Sequence, residues 1–156
     1  MSLHFELITP AGTVFRQEVD AVTLPTVEGE ISILSQHIPL VAALVPGVAR
    51  LKTVKAEEEV AVSGGFIEVT AGNHVRVLAD TVERGFELDV SVLEVAKQRA
   101  EAIMKTAVRS DEATFAAAAA ALERELARYK VAIKHRKTGH KPLIDNFIVP
   151  PNENPV

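Results

Sequence analysis

Residues 60–79 read Val60-Ala61-Val62-Ser63-Gly64-Gly65-Phe66-Ile67-Glu68-Val69-Thr70-Ala71-Gly72-Asn73-His74-Val75-Arg76-Val77-Leu78-Ala79. Apolar runs at 60–63, 66–69 and 75–79 are separated by Gly64-Gly65 and Gly72-Asn73. Short β-branched and aromatic runs, broken by residues that tolerate positive φ, are the pattern of strands joined by tight turns. A hairpin turn is therefore expected at Gly64-Gly65. Working back toward the N-terminus, Leu3, Phe5 and Leu7 alternate with His4, Glu6 and Ile8 and stop at Thr9-Pro10-Ala11-Gly12. Further runs at 19–24, 30–34 and 48–54 are divided by Pro25, Glu28-Gly29 and Pro46-Gly47. Seven or more strands at roughly ten-residue spacing predict an antiparallel sandwich or flattened barrel over residues 1–86, with no helix of any length before residue 88.

Beyond residue 86 the backbone chemistry changes. There is no Gly from 86 to 138 and no Pro from 47 to 141, and Ala becomes the commonest residue. Helix follows from propensity. Leu93, Ala96, Ala100, Ile103 and Ala107 step by three and four, as do Phe115, Ala119, Leu122, Leu126, Tyr129 and Ile133. Each set is one narrow apolar stripe. Asp89 is placed to cap the first helix, and Ser110 or Asp111 the second, which runs to about Lys137. Two such helices joined by a short polar link predict an antiparallel hairpin over residues 87–137. Six consecutive alanines, 116–121, permit close approach but bury little area, so adhesion is weak at roughly 25 cal/mol per Å². Extended, the second helix would reach on the order of 40 Å. Residues 138–156 hold four of the eight prolines and form a tail. The fold class is therefore α+β: an N-terminal antiparallel β-sandwich followed by a C-terminal antiparallel two-helix hairpin.

Composition excludes several classes of function. At 156 residues, 47% apolar and 24% charged, the chain fits one globular domain with an appendage, and disorder and rods are excluded as whole-chain readings. With no Cys there is no disulfide, thiolate metal site or thiol nucleophile. No apolar run reaches the roughly 18–20 residues of a membrane span. Neither a secretory signal nor a transit peptide is expected at the start. Residues 1–86 carry 6 Lys+Arg against 11 Asp+Glu, and residues 87–156 carry 11 against 10. Residues 128–141 contain Arg128, Lys130, Lys134, Arg136, Lys137 and Lys141 without a carboxylate. Two explanations fit that run: an acidic partner, or a solvated helix end whose cations favour the C-terminal dipole.

Candidates for chemistry are few. The five His are scattered, none at metal-ligand spacing, and no metal site is expected. Ser63-Gly64-Gly65 lacks the flanking pattern of a nucleophile elbow or a phosphate loop. Glu57-Glu58-Glu59 reads as a solvated strand edge or loop rather than an acid/base pair. Seven aromatics without a basic stripe give nucleic-acid binding no support. The residues offer no catalytic set, and one reading of the chain is a stand-alone ligand-binding β-sandwich that dimerises through its helices.

Several stretches together resemble a known family. They are F-E-L-I-T-P-A-G-T-V-F (5–15), L-P-T-V-E-G-E-I-S-I-L-S-Q-H-I-P-L-V (24–41), P-G (46–47), V-S-G-G-F-I-E-V (62–69) and V-L-A-D-T-V-E-R-G (77–85). In this order they resemble the epsilon subunit of bacterial and chloroplast F-type ATP synthase, called delta in mitochondria, over about residues 3–137. The resemblance implies a non-catalytic rotor part that couples proton-driven rotation of the c-subunit ring to the catalytic head. The sandwich would bind the gamma subunit and rest on the ring. Glu28, Gly29, Glu30 and Ile31, with His37 and Pro39, look like the segment facing the ring. The helices would inhibit ATP hydrolysis, with Arg124, Arg128, Lys130 and Lys134 meeting an acidic segment of the beta subunit in the alpha/beta head. Some members bind ATP at the hairpin. Here Asp89, Arg124 and Arg128 match that site, but Val92 and Leu93 replace its Arg-Ala and remove a phosphate partner, so no cofactor is required. The implied location is peripheral on the cytoplasmic side of the membrane, or the stromal thylakoid face if plastid-encoded.

Overall fold

A computed structural model describes residues 1–107 and 112–138. The expected Ser110 or Asp111 cap and the tail beyond Thr138 lie outside the described residues. Ten strands precede two helices: β1 (Leu3–Thr9), β2 (Gly12–Val19), β3 (Ala21–Thr26), β4 (Gly29–Leu34), β5 (Leu40–Leu44), β6 (Gly47–Lys52), β7 (Glu57–Val62), β8 (Gly65–Thr70), β9 (His74–Ala79), β10 (Val82–Arg84), α1 (Val90–Ala107) and α2 (Glu112–Thr138). A 3₁₀ turn, Gly85–Glu87, links sandwich and helices.

The strands run β10-β7-β6-β3-β5-β8-β9-β1-β2, with β4 paired to β3. The sheet folds at β3, whose only pairing with β5 is Thr26 with Leu44. One layer is then β10-β7-β6-β3-β4 and the other β5-β8-β9-β1-β2. Inward side chains of both layers, including Phe5, Leu7, Val22, Leu24, Ile33, Leu51, Val62, Ile67 and Val77, form one buried core. The pairing is antiparallel except between β1 and β9, which run parallel with Leu7 opposite Val77.

Three strands escaped the periodicity reading, each for a local reason. In β2 the register slips opposite Leu7 and Ile8, so Val14 and Phe15 are both buried in succession and the alternation fails. β5 is Leu-Val-Ala-Ala-Leu, with no polar residue to mark its outer face. β10 is three residues long. The two glycine pairs also differ. Gly72-Asn73 forms a hairpin, with φ of 85° and 64° between the paired strands β8 and β9. Gly64-Gly65 is not a hairpin, because β7 and β8 belong to different layers. Gly65 is required there by close approach, since a Cβ would stand 1.8 Å from the Leu78 carbonyl oxygen.

The helical stripes are displaced from expectation. Leu93 and Ala100 are buried, but Ile103 is 52% exposed. In α2 the buried residues are Ala118, Ala127, Val131 and Ala132, while the predicted stripe is only half-buried. The reason is that α2 lies between α1 and the sheet, so its most covered line falls between two contacts. Glu57-Glu58-Glu59 lies where β7 pairs with β6 alone, because β10 reaches only Val60 to Val62; Glu57 is exposed as an edge residue, but Glu58 and Glu59 are half-buried and all three carboxylates are engaged.

Burial ranks the stability of these parts. Phe5→Ala empties a site that is 1% exposed against Phe15, 5.6 Å away between ring centroids, and should cost about 3–5 kcal/mol in denaturant unfolding. Ile103→Ala should change it by less than about 1 kcal/mol.

Candidate functional site

The alternation of β7 and β10 builds the first site. Glu58, Val60 and Val62 point into the sandwich with Arg84, whereas Glu57, Glu59 and Ala61 point outward with Glu83. Glu58 and Arg84 form an interior ion pair at 3.0 Å, with side chains only 12% and 5% exposed. On the outer face, Ala61, Val48 and Leu88 receive Ala127 and Val131 of α2. This apolar centre is small, and carboxylates ring it. Arg128 donates to Glu83 at 3.0 Å and pairs with Glu125 at 3.0 Å. Lys134 lies 2.7 Å from Glu59 and 3.4 Å from Glu57.

The titration behaviour of the two cations follows from these contacts. Burial works against the Arg128 charge, but hydrogen bonds and the charges of Glu83 and Glu125 outweigh it and raise the guanidinium above its ordinary value. The hydrogen bond that Lys134 donates to Glu59 leads the effects that raise Lys134, opposed by burial and helped by the charges of Glu59 and Glu57. A raised folded value contributes stability in full below the ordinary lysine pKa of 10.5 and loses it only as pH climbs through the folded one. The contact is therefore complete throughout the physiological range.

The opposite outer face, on β5-β8-β9-β1-β2, has no helix over it among the described residues. One cross-strand row is apolar, with Phe66 beside Leu78 and Leu78 beside Ile8; Phe66 is 60% exposed and Leu78 45%. The next row alternates in charge: Glu68, Arg76, Glu6, Arg16. Arg76 lies 3.4 Å from both Glu6 and Glu68, and Arg16 pairs with Glu6. Hydrogen bonding from Arg16 leads the effects that hold Glu6 below the usual carboxylate range, opposed by burial and reinforced by Arg76. A third row stacks His4 on His74, with ring centroids 4.8 Å apart, beside Glu18. A cleft of about 500 Å³ runs along these charged rows.

The remaining predicted residues are distributed as follows. Glu28 lies in the β3–β4 turn and Gly29, Glu30 and Ile31 open β4, with Ile31 packed against the core; the Thr26 hydroxyl accepts from Glu28 N at 3.2 Å and donates to Gly29 O at 2.6 Å. His37 and Pro39 follow the far end of β4, about 17 Å away at ordinary strand rise. That loop is tied to the β8–β9 hairpin, since Gln36 N donates to Asn73 Oδ1 at 2.6 Å and Asn73 donates to Ser35 Oγ at 3.0 Å. The predicted ring-facing segment is thus two patches on opposite ends of the sandwich.

Asp89 caps α1, accepting from Ser91 N at 2.9 Å and Ser91 Oγ at 2.6 Å, and these bonds lower its carboxyl pKa. Arg124 and Lys130 are exposed, whereas Arg128 and Lys134 pair with the sandwich, Lys134 with its side chain still 47% exposed. Sequence reasoning missed Glu57, Glu59 and Glu83 as a docking surface. The available signal was the two-residue spacing of Glu57 and Glu59 with Ala61, which places them on one strand face.

Gly85 controls the closeness of this contact. A Cβ there would meet His135 Cβ at 2.5 Å and Val131 O at 2.9 Å. Gly85→Ala should push α2 off the sheet, raising amide hydrogen exchange along α2 at least severalfold, while β1 and β8 keep the protection of the core.

Comparison with known proteins completes the site. Residues 2–85 match the family model described as ATP synthase, Delta/Epsilon chain, beta-sandwich domain. The ATP synthase epsilon chain of Syntrophomonas wolfei is 43% identical over 130 residues, covering 83% of this chain and 93% of that one. That of Halalkalibacterium halodurans is 42% identical over 131 residues, covering 84% and 97%. Among solved structures, a chain of the Euglena gracilis mitochondrial ATP synthase, in an OSCP/F1/c-ring assembly, superposes with a TM-score of 0.72 at 25% identity, covering 85% of this chain and 81% of that one. A chain of the Tetrahymena thermophila central stalk and c-ring, at 16% identity and a TM-score of 0.57, shares the fold. The family match over the sandwich and the close relatives that extend across the helices establish that this chain belongs to the ATP synthase delta/epsilon chain family.

Proposed function

We propose that this chain, a stalk rather than a catalytic subunit of ATP synthase, couples rotation of the c-ring to the catalytic head and restrains ATP hydrolysis through its two helices. The observation that carries the reading is the unequal treatment of the two outer faces of one rigid sandwich. Among the described residues one face is bare, with an apolar row beside a ladder of alternating charge. The other is covered by a helix through a small, ion-paired contact. A coupling part needs a permanent joint and a releasable one, and these two faces have the matching chemistry.

In this reading the gamma subunit docks on the bare face. Phe66, Leu78 and Val41, which is 73% exposed, supply apolar contact. The Glu68-Arg76-Glu6-Arg16 ladder penalises any offset of a partner whose charges alternate in complement. The Glu28, Gly29, Glu30, Ile31 turn faces the ring, with Val27 66% exposed at its tip. His37 and Pro39, at the other end of β4, belong with the gamma-facing end instead. When the helices leave the sandwich, Arg124, Arg128, Lys130 and Lys134 meet acidic residues of the alpha/beta head. Exposed pairs contribute up to about 1 kcal/mol each, so several weak contacts give a reversible brake.

No cofactor is needed for this. Asp89 is committed to the α1 cap and Arg128 to Glu83, while Leu93 points into the helical hairpin at 1% exposure and Val92 to solvent at 63%. No described helix is long and apolar enough to cross a membrane. Family membership supports a peripheral position, held by the complex, on the cytoplasmic side or on the stromal thylakoid face in a plastid.

Two measurements test the joints separately. The double variant Phe66→Asp, Leu78→Asp replaces exposed side chains, so the sandwich should fold normally while calorimetric affinity for gamma falls at least about tenfold. Unchanged affinity would place gamma elsewhere. Truncation after Glu87 should keep assembly and raise ATP hydrolysis by the soluble head severalfold; unaltered hydrolysis would leave the helices a purely structural role.

A further inference from the structure

The inhibitory reading needs the cations of α2 to reach acidic groups on another subunit, and the structure shows two of them already occupied. Arg128 is held by Glu83 and Lys134 by Glu57 and Glu59, all projecting from the outer face of β10 and β7. Resting on that reading, we propose that this carboxylate face is an internal decoy: it imitates the acidic partner segment, so that docking of α2 on its own sandwich and engagement of the partner exclude one another.

Geometry supports a decoy rather than incidental surface pairing. Residues two apart on a strand project from the same face roughly 7 Å apart, so Glu57 and Glu59 can flank one ammonium between them. Lys134 occupies that position, at 3.4 and 2.7 Å. Glu59 is only 15% exposed and Glu83 33%, so neither is a freely solvated carboxylate. The apolar part of the contact, Ala61, Val48 and Leu88 against Ala127 and Val131, consists largely of small side chains, which leaves the ion pairs a large share of what holds the helix down.

Being in the same chain, the decoy carboxylates compete at an effective concentration set by the short connection rather than by the amount of protein. An incoming acidic segment must outcompete them. It can do so stepwise, because Arg124 and Lys130 are exposed while α2 is docked. Lys130 also borders a cavity of about 270 Å³ between α2 and β6, where the seam is open. A partner would engage those two cations first and then draw Arg128 and Lys134 from Glu83, Glu57 and Glu59.

The test uses full-length chains. Glu57→Gln with Glu59→Gln removes the decoy charge and keeps all of the partner-directed cations. Lys134→Gln removes the same ion pairs and one of those cations. Both should lower hydrogen-exchange protection of α2 by roughly threefold to tenfold, as expected for two exposed pairs, without loss in the sandwich core. Added to the soluble catalytic head with gamma, the Glu57→Gln, Glu59→Gln chain should inhibit hydrolysis at a severalfold lower concentration than wild type, and Lys134→Gln should not. Exchanging the charges, Lys134→Glu with Glu59→Lys, should restore protection toward wild type. Unchanged α2 protection in both variants overturns the latch. A loosened α2 with unchanged or weaker inhibition by the double Gln chain overturns the competition. A wild-type chain that fails to inhibit at all sinks the inhibitory reading itself, and this is distinguishable because the variants' exchange data then stand without any inhibition to compare.

Discussion

The two-residue period of β7 is the constraint on which the rest of the molecule depends. Its inward residues, Glu58, Val60 and Val62, close the sandwich, while its outward residues, Glu57, Glu59 and Ala61, receive α2. A shift of one residue in its pairing with β6 and β10 would exchange the two sets. Carboxylates would then enter the core and valines would face the helix. The buried Glu58–Arg84 pair opposes that shift, because turning Glu58 outward breaks the pair, and removing one partner of a buried pair costs about 3–5 kcal/mol.

From that strand outward, the molecule divides into a part that resists change and a part that allows it. The core holds Phe5, Leu3, Leu7, Leu24, Ile33 and Ile67 at 1% exposure or less, drawn from both layers and from distant parts of the chain. The helices are attached by less. α2 rests on small side chains and a ring of ion pairs, and α1 rests on α2, with Lys97 over the Tyr129 ring at 5.1 Å among its contacts. Each exposed pair is weak and screened by salt, so attachment is reversible by construction. A rigid body carrying a lightly docked helical arm is the physical arrangement on which the proposed coupling and restraint rest.

Much of this was legible in the chain. The change from alternating runs to an Ala-rich, Gly-free segment near residue 86 marks the junction between sandwich and helices, and Asp89 caps where its side chain said it should. The basic character of α2 was also visible. Its division was not: Arg128 and Lys134 look no different in sequence from Arg124 and Lys130, and only the position of α2 over β7 and β10 assigns the first two to the sandwich. Glu28 through Ile31 and His37 with Pro39 look contiguous at nine residues' distance, yet a six-residue strand, β4, separates them to opposite ends.

Local rules therefore determined the elements, because propensity, capping and turn chemistry act between neighbours in the chain. They fixed the two kinds of architecture and the place where one gives way to the other. Tertiary structure alone decided which carboxylates meet which cations, which sheet face stays bare, and why Gly65 and Gly85 must lack a side chain. Those outcomes depend on contacts between residues such as Glu59 and Lys134, 75 positions apart, and nothing in the local sequence of either one encodes the distance between them.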